Sequence, residues 1–140
     1  KGLDISEYTA KVDYLFRQHP NSIGIGDGGN EIGMGNISEV VNQAPSLPDD
    51  PAATCTTHLV IASVSNWGAL GLVAALSILE KRNMLPSLEE EAERIKKSVS
   101  LGAVDGMSKQ QIPKVDSFTL EENEIILSRL HLLVKSECTI

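Results

Sequence analysis

The sequence predicts an α/β fold: a mainly parallel sheet with flanking helices, three-layered and Rossmann-like, forming the later part of a larger domain. A continuous apolar run, HLVIASV from His58 to Val64, has strand length. Such a run suits a strand covered on both faces, as parallel sheets require. It passes at once into Trp67 to Leu79, a stretch apolar nearly all round and helical by its Ala and Leu content. Upstream, Ser22 to Ile25 is a short strand candidate that runs straight into glycines. Strands alternating with helices in this way belong to α/β domains.

The elements follow in order. Asp4 and Glu7 form a capping box for a first helix in which Ile5, Tyr8, Val12, Leu15 and Phe16 recur at helical spacing. Pro20 and Asn21 end it. Asn36 and Glu39 make a second capping box, opening a short helix through Val40 and Val41. Pro45, Pro48 and Pro51, with Asp49 and Asp50, predict a polar loop. Ser65 or Asn66 is the expected N-cap of the apolar helix. Ser87 and Glu90 cap the next helix, with Glu90–Arg94 and Glu93–Lys97 as favourable i,i+4 pairs and Gly102 as its stop. A further strand is placed near Ala103 and Val104. Thr119 and Glu122 cap a final helix carrying Ile125, Ile126, Leu130 and Leu133. So few strands beside so many helices make an under-built sheet. The chain also opens on Lys1 rather than Met, so the expectation is a single domain over residues 1–140 with its upstream part absent.

Composition narrows the function. The net charge of −7 argues against a nucleic-acid groove or an anionic membrane surface as the main partner. Five aromatic residues, Tyr8, Tyr14, Phe16, Trp67 and Phe118, are too few for a base-stacking platform. The longest apolar run falls short of the roughly 20 residues a membrane span needs. Cys55 and Cys138 form no CxxC pair or Cys/His cluster, so no metal is expected and both read as thiols in a reducing compartment. His19, His58 and His131 show no partner pattern and read as structural or surface groups.

The densest chemical signal is IGIGDGGNEIGMGN, from Ile23 to Asn36, in which Gly24, Gly26, Gly28, Gly29, Gly33 and Gly35 are glycines. Glycine is costly unless the backbone needs a positive φ or a ligand must approach the main chain closely. A tight turn with close packing is the plainer reading, though one or two glycines would suffice for it. Gly24, Gly26 and Gly29 spell GxGxxG after a strand, which suggests a dinucleotide site. Asp27 and Glu31 oppose that, because they set negative charge where a pyrophosphate would lie. Backbone N–H groups of a turn bind a carboxylate as readily as a phosphate. Asp27 and Glu31 beside them suit an ammonium group, so donors and carboxylates together describe an amino-acid site. Asp27 as a plain turn residue and Glu31 as a first-turn helix acid stay open as alternatives. Ser65, Asn66 and Trp67 lie where strand meets helix, at the carboxyl ends of strands where ligands bind in open parallel sheets. Asp105, in a turn with Gly106, is a weaker candidate. No residues form a Ser-His-Asp or Cys-His pattern. Asp27, Glu31, Ser65 and Asn66 are expected to share one cleft.

IGIGDGGNEIGMGN, then SNWGALGLVAAL, then VDG, together resemble the carboxy-terminal domain of the D-glutamate cyclase family and its relatives of unknown function. The opening GLDISEYTAKVDYLF looks like that family's lead-in helix, and the resemblance runs from about Gly2 to about Leu130. It implies a lyase that converts D-glutamate to 5-oxo-D-proline and water, with no cofactor. It implies Asp27 or Glu31 as general base, and Gly28, Gly29, Asn30 or Asn66 as donors to an oxyanion. Gly26, Ser65, Trp67 and Asp105 would complete a site for a small acidic amino acid. A missing upstream segment, or a second chain, would complete the domain. The implied compartment is the cytoplasm in a bacterium and the mitochondrial matrix in a eukaryote. The alternative from the residues alone is an α/β domain that binds a nucleotide or small carboxylate without cyclising it. A second alternative is a non-catalytic module whose glycine loop serves packing.

Overall fold

The computed structural model describes residues 4, 6–47 and 49–138. Ile5 of the expected first helix and Pro48 of the proline loop lie outside them. The chain divides into two compact units, Lys1–Ile61 and Ala62–Ile140.

In the first unit, helix α1 covers only Asp13–Gln18 and buries no residue. The expected Asp4–Glu7 capping box does not start it. Asp4 instead accepts a hydrogen bond from the Ser6 amide at 2.9 Å, closing a local turn. Short helices are marginal in water without tertiary cover, and the apolar side chains of this segment have little: Tyr8, Val12, Tyr14 and Leu15 are exposed.

Strands β1 (Ile23–Gly26) and β2 (His58–Ile61) pair in parallel, with Ile23 opposite His58 and Gly26 opposite Ile61. Both strands therefore finish at the same sheet edge. Parallel pairing needs a long crossover. Here it consists of the glycine loop, a 3-10 turn (Met34–Ile37), helix α2 (Ser38–Gln43) and the proline loop. Asn36 does not cap α2, whose N-cap is Ile37. Its side chain is recruited by the main chain of Thr56, donating to the carbonyl at 2.8 Å and accepting from the amide at 2.9 Å. The loop is further stitched down by Gly33 N–H to the Thr54 carbonyl (2.9 Å) and Ala52 N–H to the Gly29 carbonyl (2.8 Å). Gly24 and Gly33 meet backbone to backbone. A Cβ on Gly24 would lie 2.5 Å from the Ile32 carbonyl oxygen and 2.7 Å from the Gly33 Cα. Met34 and Val41 are the buried side chains beneath.

The second unit is helical: α3 (Ser65–Leu79), α4 (Leu88–Ser100) and α5 (Leu120–Cys138). Helices α3 and α4 both pack on α5. Ala74, Leu85, Leu127 and Val134 form the core. Two capping boxes form as expected. Ser87 Oγ accepts from Glu90 N while Glu90 accepts from Ser87 N. Glu122 Oε2 accepts from Thr119 N at 2.8 Å, and Thr119 Oγ1 accepts from Glu122 N at 3.3 Å. The ion pairs along α4 are i,i+3, Glu91–Arg94 and Glu93–Lys96, rather than the i,i+4 pairs expected. Gly102, at φ 103°, terminates α4. Helix α3 takes Val64 as its N-cap, so neither Ser65 nor Asn66 serves. It is also less covered than its sequence implies, with Leu76 and Leu79 exposed. No strand forms at Ala103 and Val104. That segment folds onto itself instead, the Asp105 N–H donating to the Gln110 carbonyl and the Lys109 N–H to the Asp105 carbonyl, both at 2.9 Å.

The described residues thus hold a mixture of helix and strand with one small parallel sheet, coarser than the three-layer arrangement expected. Both cysteines are free thiols.

Trp67 ties α3 to α5. Its Nε1–H donates to Asn123 Oδ1 at 2.7 Å. Its ring sits 4.7 Å from that of Phe118. Asn123 is buried and also donates to the Phe118 and Thr119 carbonyls. Asn123→Ala should cost about 1–3 kcal/mol, because it strands the indole N–H. Urea denaturation followed by the fluorescence of this sole Trp checks it. An unchanged midpoint would show that water satisfies the indole.

Candidate functional site

At the carboxyl end of β1 the chain leaves the sheet through Gly26 and enters the turn Asp27, Gly28, Gly29, Asn30, Glu31. Glu31 folds back over this turn. Its Oε1 accepts from the Gly28 amide at 3.1 Å and its Oε2 from the Gly29 amide at 2.9 Å. Two successive backbone donors therefore grip one carboxylate, a geometry that serves anions generally. The occupant is the loop's own side chain. Asp27 and Glu31 are half-buried and Asn30 is exposed.

Gly28 differs from Gly24 and Gly33. A Cβ there would meet only Asn30 Oδ1 at 3.2 Å and Glu31 Oε1 at 3.5 Å, with no backbone or core atom nearby. Packing against the rest of the unit does not demand glycine at this position. What a side chain would crowd is the carboxylate cradle itself.

In the second unit, Asn66 and Asp105 line one cavity of about 150 Å³, together with Ser98, Val99, Val104 and Lys114. Trp67 is taken up by Asn123 and Phe118, as above. Ser65 is the first residue of α3 and half-buried. Asp105 is buried, with Oδ2 accepting from Ser108 N at 2.7 Å and Oδ1 from Ser117 N at 2.9 Å. It organises the loop from 105 to 117. The Ser108 hydroxyl, then the Ser117 and Ser108 amides, hold its carboxyl at about 2, below the usual 3.8, with Lys114 adding a smaller effect.

That depression has a testable sign. A carboxyl with a lower pKa folded than unfolded contributes stability above its unfolded value, which is lost as pH falls through the folded one. Stability supplied by Asp105 should be intact above about pH 4 and disappear towards pH 2. Denaturation midpoints across that window should fall more steeply for wild type than for Asp105→Asn. Parallel curves would show that Asp105 titrates alike in both states.

Lys114 is the cavity residue that sequence reading missed. Its position in IPKVDS carries no motif, and only the closing of the 105–117 loop brings it beside Asn66.

The sequence profile of the family described as "D-glutamate cyclase-like, C-terminal" matches residues 1–131. The chain belongs to that family. Among curated proteins, the human "D-glutamate cyclase, mitochondrial" is 47% identical over 83 residues, covering 55% of this chain. The match spans only 14% of that relative's own length. Among the described residues, no group of three or more His, Cys, Asp and Glu side chains is arranged to hold a metal ion. Nor is any helix among them long and apolar enough to cross a membrane.

Proposed function

We propose that the chain is the later part of a D-glutamate cyclase-like domain, a carbon–oxygen lyase that converts D-glutamate to 5-oxo-D-proline and water. The observation that carries the reading is the pair of Gly28 and Gly29 amides gripping a carboxylate beside Asp27. In the reaction the substrate amine attacks its own γ-carboxyl carbon. A carbon–nitrogen bond forms, the amine gives up protons, and one carboxyl oxygen departs as water. Asp27 takes the ammonium proton as general base. The Gly28 and Gly29 amides hold the oxygen on which negative charge develops, once Glu31 has swung off them. Asn30 is a further donor in this reading. Gly26 lets the main chain approach the substrate. Attack within one molecule needs chiefly a bent substrate, so positioning supplies much of the rate. The chemistry as drawn uses neither metal nor cofactor.

Exposed Ile23, Val40 and Ile61 in the first unit support a covering segment from elsewhere in a longer chain, or from a second chain. The relative's greater length accords with the former. A mitochondrial matrix location is part of the proposal if the source is a eukaryote, and a cytoplasmic one if it is a bacterium.

The closed cradle also favours a second reading, a domain that binds a small carboxylate without cyclising it. A binding and turnover panel on the full-length protein separates the two: D- and L-glutamate, 5-oxo-D-proline, NAD and ATP. The cyclase reading requires 5-oxo-D-proline to form from D-glutamate. Binding without turnover would leave the second reading, and binding of NAD or ATP alone would remove both.

A further inference from the structure

We infer that the cavity at the start of α3 is a subsite for the carboxylate end of a small acidic ligand, with Lys114 as its counter-charge. Its walls come from a single compact unit: Asn66 on the first turn of α3, Ser98 and Val99 on α4, and Val104, Asp105 and Lys114 on the loop. Lys114 is half-buried, and among the described residues its ammonium makes no direct hydrogen bond or ion pair, acting on Asp105 only through its charge. In a chain of net charge −7, Lys114 is a partly covered cation lining a cavity with no carboxylate bonded to it among the described residues. Asp105, which lines the same cavity, is not bonded to it. Both oxygens of Asp105 are turned onto the Ser108 and Ser117 amides.

Asn66 adds the second donor. It is exposed, is not the helix N-cap, and has no side-chain hydrogen bond that fixes it elsewhere. An ammonium and an amide lining one cavity suit a planar carboxylate. The volume, about 150 Å³, is that of a cavity known to accept a benzene-sized molecule. It is below the roughly 300–1,000 Å³ of sites for larger ligands. The cavity therefore takes one end of a compact ligand, not a nucleotide.

The inference rests on the D-glutamate reading for the choice of ligand, and on the cavity for the residues. Calorimetric titration of the full-length chain with 5-oxo-D-proline, glutarate and inorganic phosphate tests it. The proteins are wild type, Lys114→Met, Lys114→Gln and Lys114→Arg, each first checked for an unchanged melting transition. Losing a charged hydrogen bond should weaken carboxylate binding about ten- to a hundredfold in the Met and Gln variants. Arg should restore it to within a few fold. Glutarate binding that depends on Lys114, with no binding of 5-oxo-D-proline, would keep the subsite and count against the cyclase reading. Carboxylate binding indifferent to Lys114 but strengthened in Glu31→Ala, which frees the Gly28 and Gly29 amides, would overturn the subsite and leave that reading intact. Phosphate binding as tight as carboxylate, or no binding at all, would overturn it as well.

Discussion

Gly33→Ala should take away a large share of the first unit's stability. Gly33 sits at φ 104°, and a Cβ there would lie 2.8 Å from both the Gly24 Cα and Thr56 Oγ1. The Gly24 Cα is a backbone atom and cannot rotate out of the way. The left-handed conformation costs a non-glycine residue roughly 1–2 kcal/mol. Overpacking a close-packed site adds about 1–3 kcal/mol. The sum, some 2–5 kcal/mol, is a large share of the about 5–15 kcal/mol that holds an ordinary domain together. This unit has little to spare, with Met34 and Val41 its buried large side chains. Gly102→Ala is the control, because Gly102 has φ 103° but no neighbour within 4 Å of its would-be Cβ. It should pay only the conformational part. Urea midpoints of the two variants decide the matter: equal losses would mean that the contact between Gly24 and Gly33 relaxes at no cost.

That contact explains which parts of the fold could be read from sequence. The capping boxes at Ser87 and Thr119 were legible because every atom involved lies within four residues, and a long helix follows on a covered face. The pair Asp4 and Glu7 carries the same letters but leads into a segment with no cover, and there the Asx turn wins. Asn36 and Glu39 fail for a different reason. Thr56 offers Asn36 a donor and an acceptor together from 20 residues away, and no local rule anticipates that. The expected strand at Ala103 and Val104 was an apolar pair without a partner. The glycine loop was legible as a place where backbone matters. The sequence did not distinguish glycines held by packing, Gly24 and Gly33, from Gly28, where only the cradle is crowded. Nor did it show that Glu31 would occupy that cradle, because Gly28 and Gly29 donate through main-chain atoms that every sequence possesses.

The same occupancy separates the two acids of the loop. Both oxygens of Glu31 are engaged by amides, and Asp27 is half-buried where β1 ends. On the proposed cyclase reading, Glu31 is the gate of the anion cradle and Asp27 the base. In the full-length protein, Asp27→Asn should lower turnover of D-glutamate by about a hundredfold or more, the usual scale for losing a positioned general base. The change is nearly isosteric, so the cradle should survive it. Binding of 5-oxo-D-proline should suffer less, because the lactam has no ammonium for Asp27 to hold. Steady-state rates beside equilibrium binding of the lactam make the distinction. A loss confined to kcat marks an interaction made in the transition state, whereas a matching loss of lactam affinity would mark a damaged loop. The electrostatic demand is plain: the reaction first removes positive charge from nitrogen and then builds negative charge on oxygen. It wants a carboxylate at one end and donors at the other. Wild-type turnover in Asp27→Asn would take Asp27 out of the mechanism and give the base role to Glu31, which would then have to leave its amides before each turnover.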